Sequence, residues 1–143
     1  MLGGMTTLAA RLDQLLASKS HLAPTFLRLG LGAVFLGHSY AKLAVFTLPG
    51  TVAFFEAHGL PGFTVYPVLA LELIGGVCLL AGYQVRLAAL ALLPVMFGAL
   101  LPHLANGWMF TNPGGGWEYV AFLIVALGVQ VLIGAGAPHK TGA

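Results

Sequence analysis

The sequence predicts an all-α protein, a bundle of four transmembrane helices with both termini in the cytoplasm. Three observations carry that expectation. The chain of 143 residues is 59% hydrophobic and 7% charged, where a soluble domain carries about 25% charged residues, and its mean hydropathy is +0.94. Four apolar stretches, near residues 25–45, 66–83, 87–104 and 117–133, each approach the roughly 20 residues that cross a bilayer. The run from Tyr66 to Ala81 contains one charge, Glu72, and no other strongly polar side chain. An acidic residue near a bilayer centre costs roughly 2.5–3.5 kcal/mol, so it faces protein and a partner rather than lipid.

Residues 1–23 form an amphipathic cytoplasmic lead. Leu8, Leu12, Leu15 and Leu16 fall at helical spacing with Arg11, Gln14 and Lys19 between and after them, the pattern of a helix lying on a membrane surface. Charges inside and after the leucines, rather than ahead of them, do not suit a signal peptide. Pro24 opens the membrane domain, 24–136, because its missing N–H costs nothing in the first turn of a helix. In the first span Arg28, Leu31, Phe35, His38 and Lys42 alternate spacings of three and four and share one face. A polar stripe on a membrane helix faces protein, and Arg28, near one end, can snorkel to the interface.

Phe46 to Val65 is a long connection. Thr51 to His58 reads as a short helix, with Phe54 and Phe55 dipping into the interface, closed by the turn Gly59-Leu60-Pro61-Gly62. In the second span Gly75 and Gly76 follow Glu72 and remove side chains from the helix surface, which lets another helix approach. The short link from Gly82 to Arg86 makes the second and third spans antiparallel neighbours. The third span is expected to bend at Pro94 and to end near His103. Asn106 to Gly116 reads as a loop, and residues 137–143 as a short cytoplasmic tail carrying Lys140. No internal repeat stands out.

Four spans place both termini on one side, which receives Arg11, Lys19, Arg86 and Lys140, with Arg28 nearby. The positive-inside rule makes that side cytoplasmic. Six Lys+Arg and a net charge of +2 are too few and too scattered for nucleic acid. The single cysteine, Cys78, cannot form a disulfide within the chain or a CxxC pair and reads as a small packed hydrophobe.

Helical rise places His38, Lys42, Glu72, His103 and Glu118 in the outer half of the bundle. Four helices can turn these five inward into one polar pocket open to the outside. Two plainer readings stand beside it: Lys42 with Glu72 as an ion pair that only fixes register, and His103 and Glu118 as interfacial residues at helix ends. No metal site is expected, because the closely spaced Glu/His pair is Glu56 and His58, two apart in a connection, not the Glu-x-x-His of bundle metal sites. A phosphate-binding loop and a serine nucleophile motif are also missing, and no catalytic residue is assigned.

Together the motifs resemble a family. Arg28-Leu29-Gly30-Leu31-Gly32, Phe35, Gly37-His38, Lys42-Leu43, Gly59-Leu60-Pro61, Glu72-Leu73-x-Gly75-Gly76, Gly82, Arg86-Leu87-Ala88-Ala89, His103, Gly107-Trp108, Asn112 and Trp117-Glu118-Tyr119 are similar in order and spacing to the DoxX family of small bacterial and archaeal membrane proteins, over about residues 25–136. The resemblance implies a four-helix integral membrane protein of the plasma (inner) membrane. The family name comes from a small subunit of a thiosulfate:quinone oxidoreductase, and relatives are linked to oxidative-stress and thiol-redox complexes. The leading expectation is a redox-associated subunit whose outward pocket takes a quinone or a similar small molecule. Glu72 and His38 would exchange protons there, and Lys42 would hold an oxygen. No haem, flavin or iron–sulfur motif is recognisable, so no intrinsic cofactor is expected and electrons would come from a partner. Expected partners are lipid, the quinone, and a protein partner or second copy; nucleic acid is not among them. Two other classes remain open: a non-catalytic anchor for an enzyme, and a small-molecule or proton-linked carrier.

Overall fold

The computed structural model describes residues 2–136, with side chains from Thr7 onward. The expected tail, with Lys140, lies outside the described residues. Helix α1 is Leu2–Ala17, and its leucines Leu8, Leu12, Leu15 and Leu16 are all exposed. A short turn of 3-10 helix, Ser20–Leu22, leads into α2, Ala23–Tyr40, which carries Pro24 in its first turn. The stripe along α2 faces the protein: Leu31 and Phe35 are buried, and Arg28, His38 and Lys42 are half-buried.

Beyond Tyr40 the helix widens. Ala41–Val45 is a π-helical turn, closed by the Phe46 amide donating to the Ala41 carbonyl at 2.8 Å. Thr47, at φ +64°, then turns the chain and caps α3, Leu48–Ala57, with its hydroxyl accepting from the Gly50 amide at 3.3 Å. The helix expected at Thr51 therefore starts three residues earlier, because Thr47 and Pro49 supply a cap and a first turn. α3 breaks from the α2 direction by 103°. The Thr51 hydroxyl pins the corner by donating to the Thr47 carbonyl at 2.9 Å and the Lys42 carbonyl at 3.2 Å.

After a turn at Gly62–Thr64 come α4, Val65–Ala81, and α5, Val85–Leu100, with Pro94 inside it. Leu101–Asn106 continues as 3-10 helix, residues 107–117 form a loop, and α6 is Glu118–Ile133. Among the described residues all regular structure is helical. The main helices make a four-membered ring: α2 packs chiefly on α4, α5 on α6, and the two pairs meet through α4–α5 and α2–α6. Phe35, Leu79, Ala89, Leu92 and Leu127, none of them measurably exposed, form its centre.

Gly62–Ala81 and Val85–Asn106 are each long and apolar enough to cross a membrane, and Ser20–Val45 with α3 qualifies as a bent pair. α6 is apolar but has 16 residues, about 24 Å of rise against a hydrocarbon core of about 30 Å. It completes the bundle as a short fourth helix, ended by Gly134 at φ +71°.

Two arginines tie the opposite end from Lys42 together. Arg28 does more than snorkel: its guanidinium donates to the Leu79 and Leu80 carbonyls at 2.8 and 2.6 Å, at the C-terminal end of α4. Arg86 does the same to Val131 and Leu132 of α6, at 3.1 and 3.3 Å. A cation on the exposed carbonyls of a helix C-terminus is favoured by hydrogen bonding and by the helix dipole. Each guanidinium also lies against a left-handed glycine, Gly82 or Gly134. The α2/α4 and α5/α6 pairs are thus built alike, a likeness not visible in the sequence.

Gly32 and Gly76 set the α2–α4 distance. A Cβ on Gly32 would lie 2.8 Å from Leu80 Cγ and 2.9 Å from the Gly76 carbonyl oxygen. We expect Gly32→Ala to lower stability in detergent by about 1–3 kcal/mol, the usual cost of overpacking. Gly30→Ala, where a Cβ meets nothing within 4 Å, should be neutral or slightly stabilising. Thermal unfolding of the two variants beside the parent chain checks this; equal losses would contradict the close approach.

Candidate functional site

The end of the bundle away from Arg28 and Arg86 encloses a cavity of about 460 Å³. α2, α4, α5 and α6 form its sides, and α3 covers it with Phe54 and Phe55. Its polar lining is His38, Lys42, Thr64, Glu72, His103 and Tyr119; the remaining wall is apolar.

Glu72 is the most deeply placed of these, 3% exposed. The Lys42 ammonium donates to both carboxylate oxygens, at 2.8 and 2.9 Å. Lys42 belongs to the π turn, which adds a residue to one helical turn and re-aims the side chains around it. An ammonium has three hydrogens, so one remains after the carboxylate is satisfied. The Lys42 side chain is 19% exposed, against 4% for Glu72. It also lines a second cavity of about 420 Å³ that shares His38, Phe54 and Phe55 with the first. These four side chains are the partition between the two spaces.

His38 makes no hydrogen bond to protein among the described residues and lies edge-on to Tyr119, ring centres 6.1 Å apart. His103 is anchored differently. Its Nδ1 lies 2.9 Å from the Gly115 carbonyl oxygen, so the ring is held by the loop before α6. The Thr64 hydroxyl is spent on the Pro61 carbonyl, at 2.6 Å.

The structure thus brings four of the five expected residues to one cavity and leaves Glu118 out. The Glu118 carboxylate accepts from the Phe110 amide at 2.9 Å, and its own amide donates to the Trp108 carbonyl at 3.0 Å. As the first residue of α6, it closes the loop that carries Gly115. It faces an open groove on the outside of α6, with Trp108, Phe110 and Phe122. The next residue, Tyr119, takes the cavity position. The sequence does not single out Tyr119 for the pocket; its place in the cavity follows from where α6 starts, which is set by how the preceding loop closes.

Gly75 and Gly76 sit at helix contacts as expected. A Cβ on Gly75 would come 2.9 Å from Leu92, and one on Gly76 would come 2.9 Å from Leu36. Gly76 with Gly32 lets α4 lie close enough to α2 for Lys42 to reach Glu72, and Gly75 does the same toward α5.

Comparison with known proteins adds three findings. Residues 23–105 match the family model described as DoxX. That stretch contains His38, Lys42, Glu72 and His103, and ends before α6. A curated protein of Bacillus subtilis (strain 168), named "Putative oxidoreductase CatD", is 35% identical over 75 residues, 52% of this chain and 54% of that one. The chain therefore spans about half the length of the relative it matches. No solved structure matches.

The ion pair should behave as a unit. Removing one partner of a buried pair strands the other, at a cost on the order of 3–5 kcal/mol. Lys42→Met and Glu72→Gln should each lower stability, and the double variant should recover much of the loss. A double-mutant cycle on thermal or denaturant unfolding in detergent measures the coupling; additive losses would show that the pair contributes nothing jointly.

Proposed function

The chain belongs to the DoxX family, and on that premise we propose that it is a redox-associated, multi-pass subunit of a bacterial or archaeal plasma membrane that holds a quinone-like molecule. The observation that carries this reading is the cavity over the Lys42–Glu72 pair. Its volume of about 460 Å³ suits a small-molecule site, which is mostly apolar with a few placed polar groups. Phe54, Phe55 and Leu123 offer flat and apolar walls to a ring. The third Lys42 hydrogen can meet a ring oxygen, while Glu72 holds the ammonium and balances its charge. The name of the Bacillus subtilis relative, an oxidoreductase, supports the redox class.

Quinone becomes quinol by gaining two electrons and two protons. In this proposal the electrons come from a partner protein carrying a redox cofactor. The protons reach the ring oxygens through His38 and the Lys42–Glu72 pair. His38 suits the task because its imidazole both donates and accepts and has no fixed partner in the bundle. With the arginine-rich end inside, as the positive-inside rule asks, both termini are cytoplasmic and the cavity lies in the outer half of the membrane.

Binding in nanodiscs tests the reading with decylubiquinone as probe. The parent chain should bind it, and His38→Ala should weaken binding about tenfold, the effect of one lost hydrogen bond near 1.4 kcal/mol. Leu132→Ala, at a site 79% exposed on α6, should change nothing. No binding by the well-folded parent would overturn the quinone reading and favour a non-catalytic anchor.

A further inference from the structure

His103 is fixed in a way that distinguishes the two redox states of a ligand. Its Nδ1 is 2.9 Å from the Gly115 carbonyl oxygen. A carbonyl only accepts, so Nδ1 carries the hydrogen, and Nε2 of the neutral ring carries a lone pair. The Gly115 carbonyl is itself held in place. It also accepts from Asn106 Nδ2 at 2.9 Å, the Gly115 amide donates to the Asn112 carbonyl at 2.8 Å, and the Asn112 side chain donates to the Asn106 carbonyl at 2.8 Å. The ring is clamped in one orientation by a loop that is closed on itself.

His103 lines the cavity, and among the described residues Nε2 has no hydrogen-bond partner. The other polar groups there are less selective. Lys42 and the Tyr119 hydroxyl can donate to any ring oxygen, and His38, without a fixed partner, can present either face of its imidazole. His103 presents a locked acceptor that no protein donor occupies, whereas the Glu72 oxygens are taken by the Lys42 ammonium. A quinone oxygen has no hydrogen to give, so it would place lone pair against lone pair at Nε2. A hydroquinone hydroxyl donates to Nε2 directly.

We propose that His103 is a specificity-determining residue that makes the cavity prefer the reduced, hydroquinone form of its ligand. The inference rests on the quinone reading above and adds which redox state the site favours. Tighter binding of the quinol raises the midpoint potential of the bound couple. A tenfold preference amounts to about 30 mV for two electrons, in the direction that draws electrons into the cavity.

The test compares three probes on the parent chain in nanodiscs at pH 8, under argon: decylubiquinone, decylubiquinol and the quinol with both hydroxyls O-methylated. The quinol should bind about tenfold more tightly than the quinone, and the O-methylated compound should lose that advantage. His103→Ala should bind quinone and quinol with similar affinity. The probe series on the parent chain tests the preference for the hydroquinone even where the variant folds poorly. Equal binding of quinone and quinol, or tighter binding of the quinone, would overturn the role of His103 and leave the quinone reading standing. Binding of neither would overturn both.

Discussion

The Lys42–Glu72 ion pair is the constraint on which the rest of this bundle depends. A carboxylate 3% exposed within a helix of otherwise apolar side chains is tolerable only with a cation brought to it. Each neighbouring feature serves that requirement. Gly32 and Gly76 bring α2 and α4 together, the π turn aims Lys42 at α4, and the Thr51 hydroxyl fixes the Lys42 carbonyl from α3. The cavity lies over the pair because the chain departs from regular helix there. α2 widens into a π turn, α3 turns away by 103°, and side chains do not fill the space between. Such a pair adds little or no stability over apolar residues of similar volume; what it supplies is a fixed polar pair inside the bundle.

The two ends of the bundle divide the labour. At one end Arg28 and Arg86 close the carbonyl ends of α4 and α6, so two helix hairpins finish in the same manner. At the other end the hairpins differ. The first carries His38, Lys42 and Glu72, and the second supplies mostly apolar wall, with His103 and Tyr119 at its rim. The polar groups are thus concentrated in one of two similarly built pairs. The stretch matched by the family model, 23–105, takes in the whole of the polar hairpin.

Much of this is legible in the sequence, and the reasons are physical. Glu72 stands alone in an apolar run, so it demands a cation, and the three-and-four spacing from Arg28 to Lys42 places one on the protein face of the first helix. The glycines behind Glu72 announce a close helix contact. What sequence hides is local geometry. Nothing in Ala41–Val45 marks a π turn, and the partners its residues contact, Glu72 and Thr51, lie on other helices. Glu118 looks like a fifth member of the polar set because depth along a helix is easy to estimate, but its direction depends on how the preceding loop closes. The fixed orientation of His103 depends on the same loop, through a backbone carbonyl that no side-chain pattern can reveal. The arginine contacts with helix ends escape for the same reason: their acceptors are main-chain oxygens.

We propose that the space above Lys42 and Glu72 holds a quinone-like ring. Photolabelling tests it most directly. A quinone carrying an azido group on the ring, irradiated with the protein in nanodiscs and followed by peptide mapping, should mark the α2–α3 corner around His38 and Phe54 and the His103–Tyr119 stretch. Excess unlabelled quinone should suppress both. Labels confined to exposed residues away from the cavity, such as Phe26 and Leu132, and insensitive to competitor, would contradict a quinone site there.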